Sequence, residues 1–92
     1  MNKLLNASEI LVLAKIYSNK HTSIFKGANI DEIKDYVSTI KPLATITIRR
    51  ILSNLLDTGY IQLGVKTGNK LSYFITSEGC DLVEKMIREG EK

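Results

Sequence analysis

The sequence predicts a mainly helical α+β domain: three helices, a two-stranded β-hairpin and a closing helix. Three observations carry that expectation. Apolar residues recur at helical spacing in four stretches. Strict alternation occurs once, on either side of a Gly-Asn turn. And 92 residues with 43 % hydrophobic content and one proline make a single domain, 1–92, without linker, repeat or low-complexity stretch. A chain of that size buries about two-thirds of its unfolded surface, enough for one core but not for separate cofactor and substrate lobes.

The first helix, 6–17, opens at Asn6, with Glu9 placed three residues on to complete a capping box and Leu5 and Ile10 spaced as a hydrophobic staple. Ile10, Leu13, Ala14 and Tyr17 follow the helical period, and Leu11, Val12 and Ile16 widen the apolar arc. An arc that wide implies burial on two sides, within the domain and against a partner chain. Ser18–Ala28 has no helical period and contains Gly27, which makes it a loop, with Thr22–Phe25 as a candidate short strand. The second helix starts at Asn29 with another capping box through Glu32, carries Ile33, Tyr36 or Val37, and Ile40, and ends before Pro42.

A short turn, Lys41-Pro42-Leu43-Ala44, leads to Thr45, which stands as the N-cap of a third helix, 45–58. Ile48, Ile51, Leu52 and Leu55 form its buried face, with Thr47, Arg49, Arg50, Ser53 and Asn54 opposite and Gly59 as the left-handed C-terminal cap. No acid occupies its first three turns, so the positive end of its dipole is uncompensated. A hairpin follows over 61–76: Ile61, Leu63 and Val65 alternate, Lys66-Thr67-Gly68-Asn69-Lys70 turns, and Leu71, Tyr73 and Ile75 alternate again. Thr76 or Ser77 then begins the last helix, 77–90, striped with Leu82, Val83, Met86 and Ile87.

The net charge of +3 is unevenly spread. Residues 38–76 hold five basic side chains against Asp57 alone, whereas 77–92 hold three against five acids. A positive middle segment points to a polyanion partner. The opening Met1-Asn2-Lys3-Leu4-Leu5-Asn6 turns polar too early for a signal peptide, and no apolar run reaches the roughly 18 residues of a membrane span. The expectation is a cytoplasmic protein with no membrane partner. One cysteine, Cys80, excludes an internal disulfide and a multi-cysteine metal site, and His21 has no second ligand in view. No Ser-His-Asp set, glycine-rich phosphate loop or paired acids can be assembled, so neither enzyme activity nor a cofactor is expected. Tyr17, Tyr36, Tyr60 and Tyr73 lie on apolar stripes or strands and read as core.

Ile48-Arg49-Arg50-Ile51-Leu52-Ser53-Asn54-Leu55-Leu56-Asp57-Thr58-Gly59-Tyr60-Ile61 resembles the recognition helix of winged helix-turn-helix regulators, and Tyr73-Phe74-Ile75-Thr76-Ser77-Glu78-Gly79 is similar to their join between wing and last helix. The likeness extends over nearly the whole chain and is nearest to the small MarR-like and PadR-like repressors. The chain departs from these in a longer loop before the second helix, an extended turn at Lys41–Ala44 and a single C-terminal helix. The resemblance implies a dimeric transcriptional regulator, a repressor, that binds double-stranded DNA with helix 45–58 in the major groove. Hairpin 61–76 would lie along the backbone and helices 6–17 and 77–90 would join two copies. The implied contacts are Arg49 and Arg50 to base edges or phosphates, Thr45, Thr47, Ser53 and Asn54 as hydrogen-bonding neighbours, Lys66, Asn69 and Lys70 from the wing, and Lys41 at the turn. Any small-molecule effector would have to sit between helices at the dimer contact. A protein-docking module and a replication or plasmid-maintenance DNA-binding protein are the other functions this framework serves.

Overall fold

The structure is a computed structural model that describes residues 5–66 and 68–90. Met1–Leu4, Thr67 of the expected turn, Glu91 and Lys92 lie outside the described residues. The elements run α1 (Ala7–Ser18), β1 (Ala28–Asn29), α2 (Ile30–Ser38), α3 (Thr45–Thr58), β2 (Ile61–Leu63), β3 (Ser72–Ile75) and α4 (Ser77–Gly90). Both capping boxes form. Asn6 accepts from the Glu9 amide while Glu9 accepts from the Asn6 amide, and Asn29 and Glu32 repeat the exchange on α2. Each satisfies two otherwise unpaired donors at a helix start.

The start of α3 differs from the expectation. Ala44, not Thr45, is the N-cap, and it supplies no side-chain hydrogen bond. Thr45 is already helical, and its hydroxyl accepts from Lys34 Nζ at 3.0 Å instead. The far end matches the reading: Gly59 adopts φ 82°, and its amide donates to the carbonyls of Leu55 and Leu56.

The sheet has three strands in the order β1-β3-β2, both pairings antiparallel, rather than the two of a bare hairpin. The added strand is Ala28–Asn29, while Thr22–Phe25, the expected strand, runs through bends and a turn. Gly27 explains the placement: a Cβ there would come within 2.6 Å of Ser72 Oγ, so only glycine lets this segment lie against β3. Residues 21–24 reach the wing through single bonds, Ile75 N–H to the His21 carbonyl and Val65 N–H to the Ile24 carbonyl. His21 is a clasp for this loop. Its Nδ1 lies 2.7 Å from the Lys26 carbonyl and its Nε2 lies 2.8 Å from the Tyr36 hydroxyl, with the two rings stacked. A carbonyl can only accept, so Nδ1 carries the proton.

The core sits between the helices and the base of the hairpin, built on Leu13, Ile16, Ile33, Ile48, Leu52, Leu55, Ile61 and Ile75. Helix α1 lies at its centre and touches α2, α3, α4 and β3. Val12, Leu13 and Ile16 of its wide apolar arc are buried within the chain, while Ile10, Leu11, Ala14 and Tyr17 remain half-buried. Alternation along the hairpin fully buries apolar side chains at the base, where Ile61 faces Ile75, and among the described residues the only buried one nearer the turn is Ser72. At the other end Leu63, Val65 and Leu71 are about half exposed, since the helical layer backs only the base. Helix α4 is capped by Thr76, whose hydroxyl donates to the Gly59 carbonyl and accepts from the Gly79 amide, tying the end of α3 to the start of α4. Gly79 is required at this junction: a Cβ would meet the Tyr60 carbonyl at 2.3 Å and Ile75 Cγ1 at 2.5 Å.

Candidate nucleic-acid interface

On α3 the four buried residues, Ile48, Ile51, Leu52 and Leu55, define the inward face. At 100° per residue, the direction opposite to it is occupied by Ile46, Arg50, Ser53 and Asp57, with Arg49 beside them. All five are exposed. The N-terminal part of this outer face is basic and apolar, and its single acid, Asp57, lies three turns further along. No acidic side chain stands in the first turn and no side chain among the described residues caps it, so the positive end of the α3 dipole is uncompensated there.

Of the other polar candidates on α3, Thr47 and Asn54 are half-buried on the flank that turns toward α1. Asn54 Nδ2 donates to Glu9 Oε2 at 3.0 Å, and Glu9 is itself only 3 % exposed. This amide ties α3 to the α1 capping box. Thr45 is engaged with Lys34, a cation the sequence reading passed over because it lies on α2 outside the basic segment. The periodicity of α2 around Ile33 and Val37 is the signal that places Lys34 on its exposed side. Lys41 extends from the turn toward the start of α1, with Nζ 3.4 Å from Ser8 Oγ.

The wing reaches α3 across a groove of about 540 Å³ lined by Ile30, Asp31, Arg49, Asn69, Lys70, Leu71 and Tyr73. Pairing of Asn29 with Ser72 brings the first turn of α2 beside the end of the wing, so Asp31 and Lys70 meet at 2.5 Å. The hydrogen bond from Lys70 holds the Asp31 carboxyl below its usual range and raises the Lys70 ammonium in turn. Both side chains are largely exposed, so the pair is open to competition from another anion. Lys66 is exposed on the other limb of the turn. The structure thus brings Arg49, Asn69 and Lys70 to one groove and directs Arg50 and Ser53 outward. It leaves Lys41 apart and engages Thr45 and Asn54 with protein partners.

Cys80 is a free thiol, half-buried in the first turn of α4, where burial first and then Glu84 and Asp81 push its pKa up, the opposite of an activated thiolate. Among the described residues no group of three His, Cys, Asp or Glu is placed to hold a metal ion, and no helix is long and apolar enough to cross a membrane.

No protein-family model and no curated protein matches the sequence. Solved structures do match the fold. TubR from Bacillus megaterium pBM400 superposes with a TM-score of 0.75 at 20 % identity over 90 % of this chain and 87 % of that one. A DNA-binding TubR fragment from Clostridium botulinum gives 0.72 at 21 %, over 91 % and 99 %. SSV1 F-93 gives 0.66 at 17 %, over 99 % and 98 %. At such identities the likeness establishes the fold, a winged helix-turn-helix, without singling out the MarR-like or PadR-like branch.

Proposed function

We propose that this chain binds double-stranded DNA as a transcriptional regulator of the repressor type, with α3 in the major groove and hairpin 61–76 as the wing along the backbone. The observation that carries the reading is the convergence of Arg49 from α3 with Asn69 and Lys70 from the wing on one groove, beside a helix start free of acids. A helix of this kind fits a major groove about 12 Å wide, and lysines on the wing fix position through phosphates without reading sequence. One structural neighbour is described as a DNA-binding fragment, which supports the same reading. Arg50 and Ser53, outward on α3, are the polar candidates for base edges, and Lys66, Lys70 and Lys41 for phosphates. Thr45 and Asn54 are hydrogen-bonded to Lys34 and Glu9, and Thr47 is half-buried, so these three would lie at the margins of the contact. The framework calls for DNA positioning and no bond chemistry, consistent with a non-enzymatic, cytoplasmic role.

Two copies acting together would read half-sites about one helical turn apart. The contact between copies would use the terminal helices: on α4 Ile87 is 48 % exposed beside half-buried Leu82 and Met86, and on α1 Ile10 and Leu11 are half-buried.

The test is fluorescence anisotropy with a random duplex of about 30 base pairs across a salt series, where each phosphate contact contributes a slope of about −0.9 in log K against log salt. Arg49→Ala and Arg50→Ala should each weaken binding, and a variant that loses a phosphate contact should flatten the slope by about one. A folded protein that shows no binding at low salt would overturn the reading and leave the docking module. Sedimentation of Ile87→Glu against the parent chain checks the α4 contact.

A further inference from the structure

Ile46 is the most exposed apolar side chain on α3, 72 % accessible, in a helix where Ile48, Ile51, Leu52 and Leu55 are buried and Leu56 is half-buried. It lies in the first turn, almost diametrically opposite the core, aligned with Arg50 and Ser53 along the outer face. The described residues leave it uncovered. No acid stands in that turn, and Arg49 and Arg50 follow within one further turn, so the surroundings of this side chain favour a polyanion over a neutral or basic protein face. The first turn of a groove-entering helix is also the part that approaches base edges. On a base edge in the major groove, the one feature that an aliphatic side chain can recognise is the C5-methyl group of thymine.

We infer that Ile46 is a specificity-determining residue that reads thymine through its methyl group. This rests on the proposed DNA binding and deepens it: the preferred site contains thymine at a fixed position facing the start of α3. Cytosine at that place presents an amino group and no methyl, and is disfavoured. Uracil keeps the hydrogen-bonding edge of thymine and lacks only the methyl, which isolates the contact.

The experiment selects a bound duplex from a random thymine-containing library and remakes it with deoxyuridine at each thymine in turn. Burial of one methyl group corresponds to about a fourfold change in affinity. The expected result is a position where thymine-to-uracil exchange weakens binding about fourfold in the parent chain and has no effect on Ile46→Ala. With so exposed a side chain that variant keeps its fold, which its melting curve verifies. Equal affinity for every uracil duplex in the parent chain, or a uracil effect that persists in Ile46→Ala, overturns the assignment while DNA binding stands. A change in sedimentation on Ile46→Ala overturns it by assigning the side chain to a contact between protein chains. Absence of any duplex binding overturns both this inference and the function on which it rests.

Discussion

Asn54 separates two accounts of α3, and its bond to Glu9 can be measured. In the structure its amide donates to Glu9 Oε2, while Glu9 Oε1 accepts from the Asn6 amide to close the α1 capping box. Asn54→Ala would leave one oxygen of a carboxylate that is 3 % exposed without its partner. A hydrogen bond to a charged group is worth about 1.5–3 kcal/mol, and an orphaned buried acceptor costs about 1–3 kcal/mol, so a loss of about 2 kcal/mol is expected. In a domain of this size that lowers Tm by roughly 8–16 °C. Glu9→Ala removes the capping bond as well and should cost somewhat more, but the amide it strands is half-buried and can turn to water. In the double variant the orphaned carboxylate is gone, so the combined cost should fall short of the sum by about 1–2 kcal/mol. Glu9→Gln is the control: its single carbonyl oxygen can accept from Asn6 or from Asn54 in this geometry, but not from both. The assay is urea unfolding of the four members of the cycle, with duplex affinity measured alongside. A coupling below about 0.3 kcal/mol, with Asn54→Ala weakening DNA binding in a protein of unchanged stability, would refute the reasoning and restore Asn54 to the DNA-facing side.

Other outcomes follow from the same geometry. Asp31→Asn should free Lys70 for a phosphate, tightening duplex binding severalfold at low salt and steepening the salt slope by about one, with little change in stability because the pair is exposed. The sign with pH is set by the lowered Asp31 carboxyl: the pair is intact at neutral pH and is lost only as pH falls through that lowered range, so the parent chain should approach Asp31→Asn behaviour only in acid. Gly79→Ala forces a methyl group against the Tyr60 carbonyl, and a net loss of about 1–3 kcal/mol should appear in urea unfolding despite the better helix propensity of alanine. Gly59→Ala meets no atom within 4 Å and suffers only from its positive φ, so about 1 kcal/mol is expected, and a smaller loss at Gly79 than at Gly59 would contradict the packing described for that junction.

Much of this architecture is legible in the sequence because it rests on local rules. Capping boxes at Asn6 and Asn29, the inward stripe of α3 and the left-handed cap at Gly59 each depend on residues within one or two turns of each other. Helical spacing and hairpin alternation therefore determined the four helices, the hairpin and their order along the chain. Contacts between distant segments followed no such local rule, and only the tertiary structure decided them. The strand Ala28–Asn29 exists because β3 offers it an edge and Gly27 lets it approach, which no pattern within residues 18–28 encodes. A helical wheel puts Asn54 near the polar side, yet Glu9, 45 positions earlier, draws it into the α1–α3 contact. Lys70 and Asp31 are 39 positions apart and meet because the β1–β3 register brings the wing beside α2. Likewise only the fold shows which part of the wide apolar arc of α1 the chain itself takes up: Val12, Leu13 and Ile16 are buried, while Ile10, Leu11 and Tyr17 stay half-buried. Sequence periodicity says which side of a helix is apolar; what that side meets is a property of the assembled fold, because burial depends on elements that only folding brings together.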